Sequence, residues 1–174
     1  TQVKHALGDG EYRMRREDCE VALQILQKHT FREVTTASLD IHREELGDRL
    51  FRRARHVVTE MARVDSFVDA LAEADTDQIG KLLRASHDSL RDDFEVSCPE
   101  LDHLVETAYA FGSKCNLIGA RMTGGGFGGS IISLVHKDDA EALVQELSQS
   151  FLERFGRAIE PFVTQAADCA SLVR

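Results

Sequence analysis

Apolar residues recur at helical spacing through most of the first 112 positions of this chain. This spacing predicts a helix from Glu11 to about Lys28 and a longer one near the middle. The middle helix carries an apolar stripe in steps of three and four, made of Leu50, Ala54, Val57, Met61, Val64, Val68 and Leu71. Because residues so spaced share one helix face, we expect this stripe to be buried. The charged residues Arg53, Arg55, Glu60 and Arg63 lie mostly off it.

Polar residues mark the predicted helix ends. Asp75 has the position of an N-cap for a helix from Ile79 to Phe94. Ser97 and Glu100 have the spacing of a capping box before the next helix, in which the serine oxygen would accept from the Glu100 amide. Gly112 is placed to end that helix.

The periodicity changes after Gly112. Residues 116–122 and 130–135 are predicted strands, and Asp138 is predicted to cap a helix that Gly156 ends. A last strand is expected at 161–165. Helices followed by strand, loop, strand, helix and strand predict an α+β fold, with a small, mostly antiparallel sheet covered by helices. With no repeat or linker, residues 1–174 are expected to form a single domain.

Charge and cysteine content narrow the partners. The net charge is −9, and the densest basic stretch, Arg49, Arg52, Arg53 and Arg55, is interpreted as a solvated helix face. Nucleic acid is therefore disfavoured as a partner. No apolar stretch has the length of a membrane span, so no membrane association is expected. The four cysteines are too far apart for a redox pair or zinc knuckle and are interpreted as reduced thiols of a cytoplasmic protein.

Residues 122–129 form the stretch that composition does not explain. Glycines occupy positions 124, 125, 126, 128 and 129. Such a backbone can adopt positive φ, and its successive amides can converge on an anion. No lysine follows, which excludes a Walker loop. The glycine spacing fits a dinucleotide fingerprint, but a strand stands where the helix should be. The alternative is a tight connection between buried strands, although ordinary hairpins need only one or two glycines.

Three stretches resemble a known kinase family. Residues 121–129, Arg-Met-Thr-Gly-Gly-Gly-Phe-Gly-Gly, are similar to the third motif of the superfamily of galactokinase, homoserine kinase, mevalonate kinase and phosphomevalonate kinase. Residues 86–102 resemble the galactokinase segment before that motif. Residues 3–7, with Glu11, Tyr12, Arg15 and Arg16, resemble the entry into its C-terminal region. The resemblance covers nearly the whole chain, as the C-terminal half of a galactokinase.

This resemblance implies phosphoryl transfer from MgATP to the anomeric hydroxyl of galactose, with both ligands between two domains. Tyr12 matches a tyrosine that contacts the sugar. Thr123, Gly124, Gly125 and Gly126 match the loop that borders the sugar and the terminal phosphates. Catalytic residues are expected outside this chain, in an N-terminal half that also holds most of the ATP and Mg²⁺ contacts. The chain alone is therefore expected to be incomplete and inactive.

The role of Arg121 is open between two interpretations. Arg121 can contact phosphate or pair with a carboxylate across the sheet. His87, Asp92, Asp93 and Glu95 are interpreted as solvated charges and caps, and no metal site is expected.

The resemblance leaves functional alternatives open. A galactokinase-like protein can be a non-catalytic sugar sensor or interaction protein, or a related kinase acting on N-acetylgalactosamine or arabinose. Residues 1–10 resemble a strand that pairs with the missing N-terminal domain. An unpaired strand there predicts self-association of the isolated chain.

Overall fold

The computed structural model describes Thr1 and residues 10–166. The predicted extended segment up to Leu7 and the tail from Cys169 fall outside the described residues, apart from Thr1. The described helices and strands are α1 (Gly10–Ile25), α2 (Thr36–Ile41), α3 (Arg43–Ala72), α4 (Thr76–Asp92), α5 (Pro99–Phe111), β1 (Leu117–Thr123), β2 (Ser130–Val135) and α6 (Ala140–Phe155). This mostly helical arrangement around a small antiparallel sheet confirms the predicted fold class.

Strands β1 and β2 form an antiparallel hairpin in which Thr123 pairs with Ser130 and Met122 with Ile131. Side chains occupy the outer edge of β1. The Tyr109 hydroxyl donates to Ala120 O and accepts from Ala120 N, both at 3.1 Å. The backbone polar groups along this edge are thus bonded to helical side chains, which fixes β1 against α4 and α5.

Two glycines allow α4 to approach β1 closely. A Cβ at Gly80 would stand 2.1 Å from Ile118 O, and a Cβ at Gly119 would stand 2.8 Å from Leu83 Cδ1. No side chain larger than hydrogen fits at either position without a shift. The helix and the strand therefore pack backbone against backbone at this point.

Two larger apolar clusters stabilise the fold. The first lies among α1, α2 and α3 and is made of Ala22, Leu26, Val34, Leu39, Leu46, Phe51, Ala54 and Val58. The second joins α5 and α6 to the hairpin through Leu104, Ala108, Cys115, Ala120, Leu143, Leu147 and Phe151. The hairpin is therefore supported from behind by helices, while its connecting turn projects from the end.

The prediction for the middle helix is wrong for half of its length. Val64, Val68 and Leu71 of the expected buried stripe are 61%, 59% and 53% exposed, whereas Arg53, expected on the solvated face, is 2% exposed. Spacing identifies the helix, but the neighbours decide which face is covered. Arg53 is buried because carboxylate and carbonyl acceptors surround it.

The predicted helix ends have mixed outcomes. Asp75 is confirmed as an N-cap, since its carboxylate accepts from Gln78 N at 2.9 Å. The capping box at Ser97 is wrong, because helix α5 is capped at Cys98 and the Ser97 hydroxyl donates instead to Asp102. Glu100 pairs with Arg157 at 2.8 Å. A stronger partner, a carboxylate, has thus replaced the local amide.

Two predictions near the C-terminus are also wrong. Asp138 lies inside a short 3₁₀ turn, Lys137–Asp139, and Asp139 is the cap residue of α6, without a side-chain bond. Residues 161–166 form no strand. Phe162 is 85% exposed there, so this segment lacks the packing against neighbours that would stabilise an extended conformation.

Candidate functional site

Residues 124–129, which we call the glycine turn, connect β1 to β2. Gly124, Gly126, Gly128 and Gly129 have positive φ values of 87°, 86°, 130° and 91°. Gly124 and Gly125 are exposed, so the turn opens to the surface rather than into the core. A ligand can therefore reach its tip, as the resemblance requires.

The inner part of the turn is packed tightly. A Cβ at Gly126 would lie 2.2 Å from Val96 O and 2.7 Å from Val96 Cβ. The next amide, Phe127 N, donates to that same carbonyl at 2.6 Å. The Phe127 ring packs on an apolar cluster made of Leu90, Val96, Cys98, Leu101 and Met122. Glycine at 126 is thus required by the fold itself.

The outer part of the turn is different. A Cβ built at Gly124 or Gly125 meets no atom within 4 Å. Gly124 has a positive φ, which accounts for glycine there. Gly125 has neither a left-handed φ nor a close neighbour among the described residues. The described fold gives no reason for glycine at this position.

The inner part of the turn rests on residues 93–98, which we call the α4–α5 link. Arg15 of α1 donates to the link carbonyls of Phe94 and Glu95, both at 2.7 Å. Its guanidinium carbon lies 5.4 Å from the Phe127 ring centroid. One buried arginine thus holds the first helix, the link and the turn together.

Helix α3 holds the same link from the other side. Arg53 donates to Asp93 O and to the Glu95 carboxylate, and Arg52 donates to Asp92 O at 2.8 Å. Hydrogen bonds from Arg52 and Arg53 lower the pKa of Glu95 to about 2. The arginines interpreted as a solvated face therefore include the main anchors of the link.

The interpretation of His87 as a solvated group is wrong, since its side chain is fully buried. Its Nδ1 accepts from Met122 N at 3.3 Å, and its Nε2 lies 3.4 Å from Asp102 Oδ1. Burial would raise the pKa of Asp102, but hydrogen bonds from His87 and Ser97 hold it below its usual range. The end of β1 is therefore fixed to α4 and α5 through one imidazole.

The residues of β1 and the loop that were predicted to bind ligand lie at the entrance and tip of the turn, with one exception. Thr123 ends β1 at the entrance of the turn and is half-buried. Tyr12 is 65% exposed on α1, one helical turn before Arg15. Those two positions are about 60° apart around the helix.

Arg121 is the exception. Its Nε donates to Met122 O at 2.9 Å, and its Nη1 lies 3.8 Å from Glu60 Oε2. It is paired with a carboxylate, as one of its two readings expected, although the partner comes from α3 and not from the sheet. Burial lowers its pKa. Phosphate contact by Arg121 stays a prediction.

Two described cavities lie away from the glycine turn. An open groove of about 770 Å³ runs along α4 at the opposite end of the hairpin, next to Asn116 and His136. A smaller one of about 230 Å³ lies between α3 and α4 beside Arg121. Neither is lined by Tyr12 or by residues 123–126. Neither of these two cavities therefore marks the predicted site.

Metal sites and membrane-spanning helices were searched for among the described residues. Among them, no group of three or more His, Cys, Asp or Glu side chains is arranged to hold a metal ion. Likewise, none of the helices in residues 10–166 is long and apolar enough to cross a bilayer.

Comparison with known proteins decides the family. Residues 67–153, half of the chain, match the family model described as GHMP kinases C terminal. The chain belongs to the GHMP kinases. The matched region begins in α3 and ends in α6, so it contains the α4–α5 link, both strands and the glycine turn. These elements are thus shared features of a GHMP kinase C-terminal domain.

The similar proteins found for this GHMP kinase chain are galactokinases. The Thermotoga maritima galactokinase is 46% identical over 156 residues, which are 90% of this chain and 43% of the relative. The Bos taurus galactokinase is 41% identical over 173 residues, which are 99% of this chain and 42% of the relative. The chain therefore spans about two-fifths of the length of the curated relatives it matches.

A solved structure gives the same result in three dimensions. The crystal structure of Lactococcus lactis galactokinase complexed with galactose superposes with a TM-score of 0.83 at 35% sequence identity. The match covers 90% of this chain and 41% of that one. The fold is therefore that of the corresponding part of a galactokinase, and the recognition from three short motifs is confirmed.

Sequence reasoning missed the residues that hold the turn in place. Arg15 and His87 lie within the stretches that carried the resemblance, but spacing alone gave no sign that they are buried. Arg53 lies outside those stretches. The position of Arg53 beside Phe51 and Ala54 is informative only once the structure shows that both neighbours are buried, since a basic residue there needs a nearby acceptor.

Proposed function

We propose that this galactokinase-type domain takes part in the transfer of the terminal phosphate of MgATP to the anomeric hydroxyl of galactose. The family, the curated relatives and the solved galactokinase support this proposal. The domain contributes one wall of the ligand site, and the rest of a longer protein contributes the other.

The observation that carries the proposal is Gly125. This position is exposed, does not need a left-handed φ, and has no neighbour within 4 Å among Thr1 and residues 10–166. Any small residue would satisfy the described fold there. Where the described fold gives no reason for glycine, close approach of a ligand to the backbone is the reason we propose. In the proposed complex that group is the sugar or a terminal phosphate.

The chemistry of phosphoryl transfer agrees with such a surface. The reaction depends on positioning the two substrates and on stabilising negative charge at the transferred group. Backbone amides in an exposed turn can donate to phosphate oxygens without a side chain in the way. Thr123 adds a hydroxyl at the entrance of the turn, and Tyr12 is assigned to the sugar.

The MgATP contacts are proposed to come mainly from outside this chain. Bound Mg²⁺ would neutralise phosphate charge, with its ligands supplied by the phosphates and by the longer protein. The described residues contribute the turn residues 124–126, of which Gly124 and Gly125 are exposed. The chain by itself is therefore proposed to lack kinase activity.

A chimera tests the proposal. The N-terminal part of Thermotoga maritima galactokinase is joined to this chain, which replaces the matching 156 residues. We expect ADP release from ATP that depends on added galactose. The controls are the Thermotoga part alone and this chain alone, and neither should turn over. A folded chimera that binds galactose and ATP without turnover would contradict the kinase proposal and favour the non-catalytic sensor.

A further inference from the structure

We propose that His87 is a positioning residue for the glycine turn, a role that rests on the proposed function. The imidazole joins the last buried residue of β1, Met122, to helix α4 through the amide bond at 3.3 Å. Thr123 and the exposed tip follow directly after this bond. The direction in which the tip amides point is therefore set at Met122.

The imidazole is itself held in one orientation. Because Met122 N–H donates to Nδ1, this nitrogen is the acceptor and the ring proton sits on Nε2. Nε2 faces Asp102 Oδ1 at 3.4 Å, and the Ser97 hydroxyl donates to that same carboxylate. Ser97 belongs to the α4–α5 link, on which the inner part of the turn packs. Ser97, Asp102 and His87 thus form a row of polar groups from the link to the strand, in which His87 Nε2 faces Asp102 without a well-aligned hydrogen bond.

A plain edge cap would not need this arrangement. Tyr109 caps the same edge two residues earlier, at Ala120, through a single hydroxyl that makes both bonds. At Met122 the cap is instead a fully buried imidazole with a carboxylate behind it. The more elaborate cap stands at the point where strand becomes turn. Its position fits control of the turn better than closure of the edge.

His87 acts on the orientation of the turn, since its side chain is fully buried. Misplacement of a catalytic surface by about 1 Å can lower turnover roughly 100-fold. In the variant His87→Leu the side-chain volume is nearly kept, while both polar contacts are lost. We expect kcat of the active chimera to fall at least tenfold. The variant His87→Asn can still accept from Met122 N–H and should recover part of kcat.

Stability must be separated from positioning. Leu39→Ala is the matched control, because Leu39 is fully buried in the cluster of α1, α2 and α3, away from the turn. It should lower Tm by as much as His87→Leu or more, with kcat unchanged at a temperature where both remain folded. A second readout is the amide NMR spectrum of this chain, in which His87→Leu should shift the signals of Met122 and of residues 124–126.

The outcomes distinguish the two proposals. If the unmodified chimera is inactive, the proposed function fails. If the chimera is active and His87→Leu keeps its kcat while remaining folded, the positioning role is wrong. Equal losses of kcat in His87→Leu and Leu39→Ala would also overturn it, since the effect would then follow stability alone.

Discussion

The inner and outer parts of the glycine turn use the same residue type for different reasons. Gly126 has a left-handed φ and lies against the backbone of Val96, so any side chain there would collide with the α4–α5 link. Gly125, one residue earlier, faces open space. The inner part thus serves the fold, whereas the outer part is left bare. The glycines of this turn therefore have two different roles, which substitutions at Gly125 and Gly126 can separate.

The largest effect on stability is expected from Gly126→Ala. The new Cβ would overlap Val96 O at 2.2 Å and would sit on a residue with φ of 86°. Backbone strain and overpacking together should cost about 3 kcal/mol. Urea unfolding of this chain, followed by circular dichroism, gives the value. A loss below about 1 kcal/mol would mean that the inner part of the turn yields easily.

A somewhat smaller effect is expected from Arg53→Met, which removes the anchor under the link. The guanidinium is buried and bonded to Asp93 O and Glu95, so its loss leaves acceptors unpaired. We expect about 2 kcal/mol, since Glu95 keeps some contact with water. Arg49→Met is the matched control, because Arg49 is largely exposed, and its change should stay near 0.5 kcal/mol. Similar losses in both variants would contradict the anchoring role.

The pH dependence of stability tests the contacts of Arg52 and Arg53 with Glu95 without replacing either arginine. Glu95 has a pKa of about 2, against an ordinary 4.5, because Arg52 and Arg53 donate to it. The unfolded chain therefore binds this proton more readily, so the stabilisation is complete above pH 4.5 and is lost as the pH falls towards 2. Burial lowers the pKa of His56 from 6.5 to about 4. The unfolded chain binds this proton more readily too, so stability also falls as the pH drops from 6.5 to 4.

The variant Glu95→Gln isolates the first contribution. Its stability should fall less steeply than that of the unmodified chain between pH 4.5 and 2, while the decline from pH 6.5 to 4 remains. Denaturation midpoints measured across this range give both slopes. If both proteins lose the same stability between pH 4.5 and 2, the arginine contacts of Glu95 contribute little.

The smallest effect on folding, and a large one on activity, is expected from Gly125→Ala. With no neighbour in reach, the change in unfolding free energy should remain within about 1 kcal/mol. In the active chimera, kcat/KM should fall at least tenfold, because the methyl group occupies the space proposed for the ligand. Unchanged kcat/KM would remove the main support for ligand contact at the turn.

Features that depend on residues close together in the chain were predicted better than features that depend on distant residues. The hairpin, the glycine turn and the Asp75 cap depend on neighbouring residues and were predicted correctly. The capping box at Ser97 failed because Asp102 was a better partner for its hydroxyl. The strand expected at 161–165 failed because β-propensity is realised only against packed neighbours.

Sequence by itself determined the family, the positions of the longer helices and the glycines at residues 124–126, whereas the short helix α2 (Thr36–Ile41) lies where a loop was expected. The features that sequence determined follow from periodicity and from short motifs, which are local properties of the chain. Only the tertiary structure decided that Arg15, Arg53 and His87 are buried and hold the turn. Their partners lie 35 to 80 positions away along the chain. A polar side chain is buried only where distant acceptors converge on it, and no local pattern records that convergence.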